Sequence, residues 1–429
     1  MTTALHSIAF KAQSHPRHRF QNVYGLLHSD LLYQSWGQLN KQSASGIDGI
    51  SVSDYEVGLS ENIQRLGRDL KQKCYRASAI KRVFIPKANG KQRPLGLPTV
   101  EDKIVQQSVS QILLSIWEQD FLPNSYGYRP NKSAHQAVHS LGLNLQFQGY
   151  GYIVEADIKG FFDNMDHDWL LQMLSQRIDD KPLLTLISQW LKARIKAPDG
   201  VFSKPTSGTP QGGVISPILA NIYLHYVLDL WFEKKVKPRM QGRAMLIRYA
   251  DDFVVAFQLR EDAERFYRVL PKRLNKFGLS VAPEKTHLKR FSRFHLGRKR
   301  NFQFLGFEFY WGRDVNNKPR LRRRTASKKQ KSTMNGLYHW IKLQRSKPLK
   351  DWMPRLKRKL IGFRNYFGLP DNSRSLSRIY SHVLHSLYKW LNRRSQRKSY
   401  NWDGFKVMLK YFQINPLRVS KRRVLVDWY

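Results

Sequence analysis

Apolar and polar positions change their spacing several times along the chain, and each change predicts an element. Over the first eighty residues the pattern is helical and polar, broken by the turn-rich "SASGIDG" at 43–49 and resumed in the charged amphipathic stretch "SENIQRLGRDLKQKCY". From Ile80 the period shortens. "IKRVFIPKANGKQRPLGLP" holds two strand-like runs around Asn89-Gly90, a dipeptide suited to the left-handed positions of a tight hairpin turn. Helical spacing returns in "EDKIVQQSVSQILLSIWEQDF" (101–121), and "YGYIVEADIKGFF" (150–162) reads as a buried strand ending in a carboxylate. "SPILANIYLHYVLDLWFEKKV" (216–236) predicts an amphipathic helix with Pro217 in its first turn, where a missing N–H leaves no bond unmade. Further on, the apolar runs on either side of Asp251 and Asp252 predict a hairpin with the acidic pair at its tip. Beyond Tyr310 the basic run "RLRRRTASKKQKS" (320–332) reads as linker and leads into helical patterns through about Lys398. The last thirty residues, ending "VSKRRVLVDWY", carry no clear pattern. The centre is thus α+β, with a helical part appended.

Composition adds a partner to this picture. At 429 residues, 41% hydrophobic and 13% aromatic, the chain has the material for two or three folded domains and is unlike a disordered one. Its 74 Lys and Arg against 32 Asp and Glu leave a net charge of +42, which calls for a polyanion. Nucleic acid is the expected partner. A membrane is not, since neither an apolar run of about 18 residues nor a lipidation signal is present. The opening "MTTALHSIAF" shows no basic region followed by a long apolar one, so a cytoplasmic protein is expected. Cys74, the single cysteine, excludes an intrachain disulfide and a Cys-rich zinc site, and a buried thiol is its ordinary role. The 13 histidines are scattered, without ligand spacing.

Two adjacent carboxylates at a turn are by themselves ordinary, because Asp favours turns and caps. Asp157 changes their meaning. It stands at the end of a buried run, where a strand of the same sheet would aim it at Asp251 and Asp252. Three converging carboxylates repel one another and need a cation. Magnesium suits them, as it takes few carboxylates together with substrate phosphates. Two such ions about 4 Å apart would activate a hydroxyl and stabilise a leaving oxygen, which is the chemistry of nucleotidyl transfer.

These residues sit in a longer series of blocks: "SGIDG" (45–49), "IPKANGKQRPLGLPTVEDKIVQ" (85–106), "SYGYRPNKSAHQAV" (125–138), "ADIKGFFDNMDH" (156–167), "SGTPQGGVISPILANIYLHYVLD" (207–229), "YADD" (249–252), "GLSVAPEKT" (278–286) and "FQFLGFEF" (302–309). In this order they resemble the reverse transcriptases of the group II intron-like bacterial lineage, nearly end to end. The resemblance implies an α+β right-hand polymerase followed by an all-α thumb. Its parts would be an N-terminal helical extension and start of the fingers (1–80), fingers and palm (81–315), a basic linker (316–335), the thumb (336–400) and a basic C-terminal tail (401–429).

It also implies roles. Asp157, Asp251 and Asp252 would be catalytic, two Mg²⁺ ions being held by Asp157 and Asp251 with the Ile158 carbonyl, and by Asp252 as a weaker ligand. Phe162 would lie beneath the sugar of the incoming nucleotide and exclude a 2′-hydroxyl. Phe161 beside it also suits burial, so one of the two faces the nucleotide. Gln211 would line the nucleotide, Lys87 and Arg93 grip the triphosphate, and Lys285 lie near the leaving pyrophosphate, template phosphates being the rival partners of the three basic residues. Arg129, Arg355 and Arg364 would touch nucleic acid. "LKRKLIGFRNYFG" (356–368), with Gly362, Phe363, Asn365 and Tyr366, and "RIYSHVLHSLYKWLNRRSQRK" (378–398) resemble thumb helices whose aromatics are expected in the core rather than under bases.

The expected partners are deoxynucleotides, a DNA product and an RNA template, a dedicated structured non-coding RNA recognised by shape and backbone. The chain stops about thirty residues after the thumb, without the Cys/His-rich nuclease module of mobile intron proteins. That points to the stand-alone relatives that serve antiphage defence. A group II intron maturase is the alternative, and template-independent or protein-primed synthesis a third. The sequence assigns no oligomeric state.

Overall fold

The computed structural model describes residues 3–86, 90, 92–297 and 300–419. The chain divides into two units, Met1–Ala137 with Val154–Leu288, and Val138–Ile153 with Lys289–Tyr429.

In the first unit the N-terminal stretch is helical, as its spacing requires: α1 (Thr3–Ser14), α2 (Ser29–Gln38), α3 (Val52–Val57) and α4 (Leu59–Lys71). The fingers hairpin follows as β1 (Ile80–Pro86) and β2 (Gln92–Leu97), antiparallel, in the register Ile85↔Arg93 and Pro86↔Gln92. Lys87 lies outside the described residues. α5 (Val100–Trp117) starts where the Thr99 hydroxyl accepts the Asp102 N–H at 3.2 Å. It is buried on almost every side. A helix with this many polar residues can sit there because several of them are paired: Ser108 Oγ lies 2.7 Å from Ser35 Oγ, and Gln111 Nε2 donates to Ser35 Oγ at 2.8 Å.

After α6 (Ala134–Phe147) come β3 (Tyr152–Ala156), α7 (Phe161–Asn164), α8 (His167–Ser175) and α9 (Lys181–Leu191). The short β4 (Ile195–Lys196) and β5 (Phe202–Ser203) then complete a sheet of order β2-β1-β4-β5. α10 (Ser216–Leu224) begins with proline in its first turn, as expected, but is buried all round rather than amphipathic. It continues as π-helical turns at His225–Asp229 and Phe232–Val236. The palm hairpin β6 (Ala244–Tyr249) and β7 (Asp252–Phe257) precedes α11 (Arg260–Asn275) and β8 (His287–Arg290), giving a second sheet of order β6-β7-β3-β8.

The second unit holds an antiparallel sheet of β9 (Asn301–Phe304), β10 (Phe307–Arg313) and β11 (Pro319–Thr325), in the order β11-β10-β9. Phe302 and Phe309 stack at 4.9 Å in its core. The basic run expected as linker is therefore ordered structure. It forms β11, whose Leu321, Arg323 and Thr325 are buried on alternate positions, and enters α12 (Ser327–Gln344). α13 (Leu349–Phe367), α14 (Ser373–Leu391) and α15 (Trp402–Tyr411) follow, the last falling within the stretch expected as tail. Asn372, fully buried, ties sheet to helices: it accepts Thr325 N–H at 2.8 Å and donates to the Phe367 carbonyl at 2.7 Å. Of the aromatics expected in the core of these helices, Phe367 and Trp390 are buried, whereas Phe363, Tyr366, Tyr380 and Tyr388 are half-buried.

The fold is that of the α+β right-hand polymerases, with an all-α thumb after the palm. Among the described residues no helix is long and apolar enough to cross a membrane. Cys74 is exposed, contrary to its expected burial, because it lies in the turn after α4.

Candidate active site

Tyr249↔Asp252 is the last pair of the palm hairpin, so Ala250 and Asp251 form a two-residue turn. Ala250 adopts φ +55, a left-handed conformation that costs a residue with a side chain about 1 kcal/mol. The turn is backed by residues 124–127, which run beside β6. Arg248 N–H donates to the Asn124 carbonyl at 3.0 Å, Tyr126 N–H to the Arg248 carbonyl at 2.9 Å, and Asn124 Nδ2 to the Leu246 carbonyl at 2.9 Å. Gly127 lies flush against the turn. A Cβ there would fall 2.2 Å from the Ala250 nitrogen.

β3 lies next to β7, and Asp157 follows its last residue. Asp157 Oδ2 accepts from Lys285 Nζ at 2.6 Å. Lys285 ends the turn Pro283–Lys285, which is fastened to the same segment by Ala282 N–H donating to the Asp157 carbonyl and Lys159 N–H to the Ser280 carbonyl, both at 2.8 Å. Ile158 is buried opposite Val281, and its carbonyl takes neither of these bonds.

The three carboxylates feel one another. Burial, and then the Asp157 charge, raises the Asp251 carboxyl above its usual range, against the nearby Arg93 and Lys285 cations. Asp252 is pushed up to about 6 by its surroundings first and then by Asp251 and Asp157. Its side chain still reaches solvent, so water tempers that rise. The hydrogen bond to Asp157 holds the Lys285 ammonium above its ordinary pKa. Among the described residues no three Asp, Glu, His or Cys side chains are drawn together as a ready-made metal cage. The donor set nevertheless fits a hard divalent cation, being three mutually repelling carboxylates with one ammonium on Asp157 as countercharge.

The loop before α10 is stitched to α7. Thr209 N–H donates to the Phe162 carbonyl at 2.7 Å, Gly208 N–H to the Met165 carbonyl at 2.7 Å, and Ser207 Oγ to the Asp163 carbonyl at 3.1 Å. Gly208, at φ +83, leaves no room for a side chain, since a Cβ would meet the Phe162 and Asp163 carbonyls at 2.7 Å. Gln211 Nε2 donates to the Asp163 carboxylate at 3.2 and 3.3 Å. Of the two phenylalanines, Phe161 is 2% exposed and belongs to the core, while Phe162 is half-buried with its ring 5.3 Å away. Phe162 is thus the less buried of the two.

Arg93 is exposed, and its charge opposes part of the rise at Asp251. Arg129, expected at nucleic acid, is 8% exposed and turned inward. It grips Glu118 through Nε and Nη2 and donates Nη1 to the Leu122 and Ser125 carbonyls at 2.7 Å, so its donors hold a loop and no phosphate. In the second unit Arg355 is exposed and Arg364 half-buried, its Nε donating to the Arg418 carbonyl at 3.0 Å.

Sequence reasoning passed over Tyr128, which is half exposed at φ 56 and coupled to Asp251 and Arg93. It also missed the fully buried Arg248 and its partners. An arginine inside the apolar run "AMLIRYA" was the available signal, because a charge in a buried strand demands a partner.

Comparison with known proteins places this palm. Residues 85–309, 225 of the 429, match the family "Reverse transcriptase (RNA-dependent DNA polymerase)", and residues 330–411 match "Group II intron, maturase-specific domain". The chain belongs to the reverse transcriptase family and carries a group II intron maturase-specific domain. It is 37% identical over 236 residues to the group II intron-encoded protein LtrA of Lactococcus lactis, covering 54% of this chain and 39% of that protein. It is 35% identical over 238 residues to the protein YkfC of Escherichia coli, covering 49% and 62% respectively. With the nuclear intron maturase 2 of Arabidopsis thaliana it shares 27% identity over 176 residues, 32% of this chain and 24% of the relative. The chain thus spans less than two thirds of each of these relatives.

Proposed function

We propose that the chain is an RNA-directed DNA polymerase of the group II intron-encoded type, copying a structured RNA into DNA. The observation that carries this reading is that β3, which ends just before Asp157, lies beside β7, which starts at Asp252, within the stretch that matches the reverse transcriptase family. Asp157, Asp251 and the Ile158 carbonyl would hold two magnesium ions, with Asp252 as a weaker ligand. When bound, they would make the primer hydroxyl a better nucleophile and stabilise the leaving oxygen.

The chain's own residues do the rest. Lys285 lies on Asp157 and is placed to follow negative charge onto the leaving pyrophosphate. Arg93, with Lys87, grips the triphosphate. Phe162 closes the floor of the sugar site against a 2′-hydroxyl, and Gln211, steadied by Asp163, lines the nucleotide. Arg355 and Arg364 contact nucleic acid from the helical part. In the proposed division, 81–315 form fingers and palm and 336–400 the thumb.

The maturase-specific match over residues 330–411 and the intron-encoded relatives favour intron RNA as the bound partner. A dedicated non-coding RNA of an antiphage system, and template-independent or protein-primed synthesis, have no observation of this kind behind them.

Primer extension on an RNA template with deoxynucleotides and Mg²⁺ tests the reading. The wild type extends, and Asp251→Ala reduces extension by about 1,000-fold or more while RNA affinity stays within about twofold. Extension retained in that variant refutes the site. Sequencing the RNA that co-purifies from native cells distinguishes an intron from a short non-coding RNA.

A further inference from the structure

Arg248 sits two residues before the acidic turn and is fully buried, as is Asp229. Its guanidinium spends its donors on three partners. Nε and Nη2 form a fork on the Asp229 carboxylate at 2.8 and 2.5 Å, while Nη1 donates to Asn221 Oδ1 and to the Ala250 carbonyl, each at 3.0 Å. Asn221 turns its other end to the backing segment, donating Nδ2 to the Gly127 carbonyl at 2.7 Å. One polar cluster therefore grips the turn from inside at Ala250 and the segment at Gly127 that Ala250 rests on.

The helix is built to present this cluster. Asn221 and Asp229 are eight positions apart, and eight α-helical residues rotate by about 800°, some 80° past two full turns. The π-helical stretch His225–Asp229 widens the spiral and takes up that excess, bringing both side chains to Arg248.

Stability does not explain the arrangement. A buried ion pair is commonly no better for folding than apolar residues of the same volume, because both charges lose their hydration. What apolar residues could not do is donate a hydrogen bond to the carbonyl of a strained, left-handed turn residue. Resting on the polymerase reading above, we propose that Arg248, oriented by Asp229 and Asn221, is a positioning residue that fixes the Ala250–Asp251 backbone and so sets the carboxylates for metal and nucleotide.

The decisive variant is the double replacement Arg248→Met with Asp229→Leu, which removes the two charges together and keeps the volume. The thermal midpoint and RNA affinity are expected to stay near wild type. The extension rate falls by about 30- to 100-fold, the effect of a displacement of about 1 Å at a reacting centre. The Mg²⁺ concentration for half-maximal extension rises about tenfold, and the thermal stabilisation by Mn²⁺ without substrate shifts to higher concentration by the same factor. A merely structural role predicts lost activity in proportion to lost folded protein, with unchanged metal dependence, and that result overturns the proposal.

If the double variant does not fold, Asn221→Ala decides. It leaves the ion pair intact and is expected to raise the half-saturating metal concentration about threefold. An unchanged value overturns the proposal. A wild type that extends no primer sinks the polymerase reading instead, and the Mn²⁺ thermal shift of the variants then judges the clamp alone.

Discussion

Two antiparallel hairpins of the first unit, β1–β2 and β6–β7, differ in almost every physical respect. In the palm hairpin every residue of Phe253–Phe257 is buried, the turn is gripped by Arg248, and its tip is acidic. In the fingers hairpin Phe84 and Ile85 are nearly half exposed, and the strand after the turn carries the exposed Arg93. One holds carboxylates against their mutual repulsion, which requires surroundings that cannot yield. The other leaves Arg93 and apolar side chains open to solvent, which gives access. Rigidity and access are thus divided between two copies of the same motif.

The sharpest way to break this comparison is to crowd the rigid turn. Gly127→Ala puts a methyl 2.2 Å from the Ala250 nitrogen and 2.9 Å from its Cα, both backbone atoms without a rotamer to escape into. A loss of about 2–4 kcal/mol in stability is expected. Primer extension should fall at least tenfold at temperatures where the variant is still folded, at about the scale of a small misplacement. Thermal melts and extension assays check both. A variant as active as wild type would show that the turn has slack and that burial around it has little bearing on chemistry.

A second test reaches the helix that supports the turn. His225 is buried and its pKa is lowered to about 4, chiefly by burial, with Arg248, Lys234 and Arg129 pushing the same way against Asp229. The unfolded chain takes up this proton as pH falls through about 6.5 and the native one only near 4, so the residue's contribution is complete above 6.5 and is lost on acidification, by at most about 3 kcal/mol. Asp120 has the opposite sign. Burial raises its carboxyl to about 6 despite Arg177 at 3.2 Å, so the native state takes that proton first and gains stability as pH falls. The two slopes offset each other in the wild type. His225→Phe removes one and is expected to leave a variant that gains about 2 kcal/mol relative to wild type between pH 7 and pH 4.5. Denaturant titrations at the two pH values measure it, and parallel curves for the two proteins would contradict it.

The two hairpins also show what could be read in the sequence. Both were legible, one from Asn89-Gly90 between strand-like runs and the other from apolar runs around two carboxylates, and the place of Asp157 followed from its position at the end of a buried run. Local pattern sufficed because hairpins are local. β11 was missed because three of its seven residues in a row are arginines, "RRR", which hide the alternation that buries Leu321, Arg323 and Thr325. Arg129 was given to nucleic acid by the resemblance, whereas its carboxylate partner Glu118 lies eleven residues away and cannot be paired with it by periodicity. The clamp on the turn was hidden for the same reason, since Arg248 and Asp229 are nineteen positions apart and the π turns that align them leave no mark in the apolar spacing.

The smallest effects belong to the fingers hairpin, and they sharpen the contrast. Arg93→Ala removes an exposed side chain and no packing, so the thermal midpoint should stay within about 1 °C. If Arg93 holds a triphosphate, KM for deoxynucleotides rises about tenfold with kcat little changed, and the difference shrinks as salt screens the contact. Gly90→Ala is milder still. Gly90 adopts φ +80, and a methyl group added there would meet no atom within 4 Å, so only the left-handed backbone resists, at about 1 kcal/mol. That strain stays in a hairpin open to solvent, and the extension rate at saturating nucleotide should not change. Should Gly90→Ala slow extension as severely as Gly127→Ala, the tip of the fingers would be held as tightly as the acidic turn, and the difference in burial between the two hairpins would have no functional meaning.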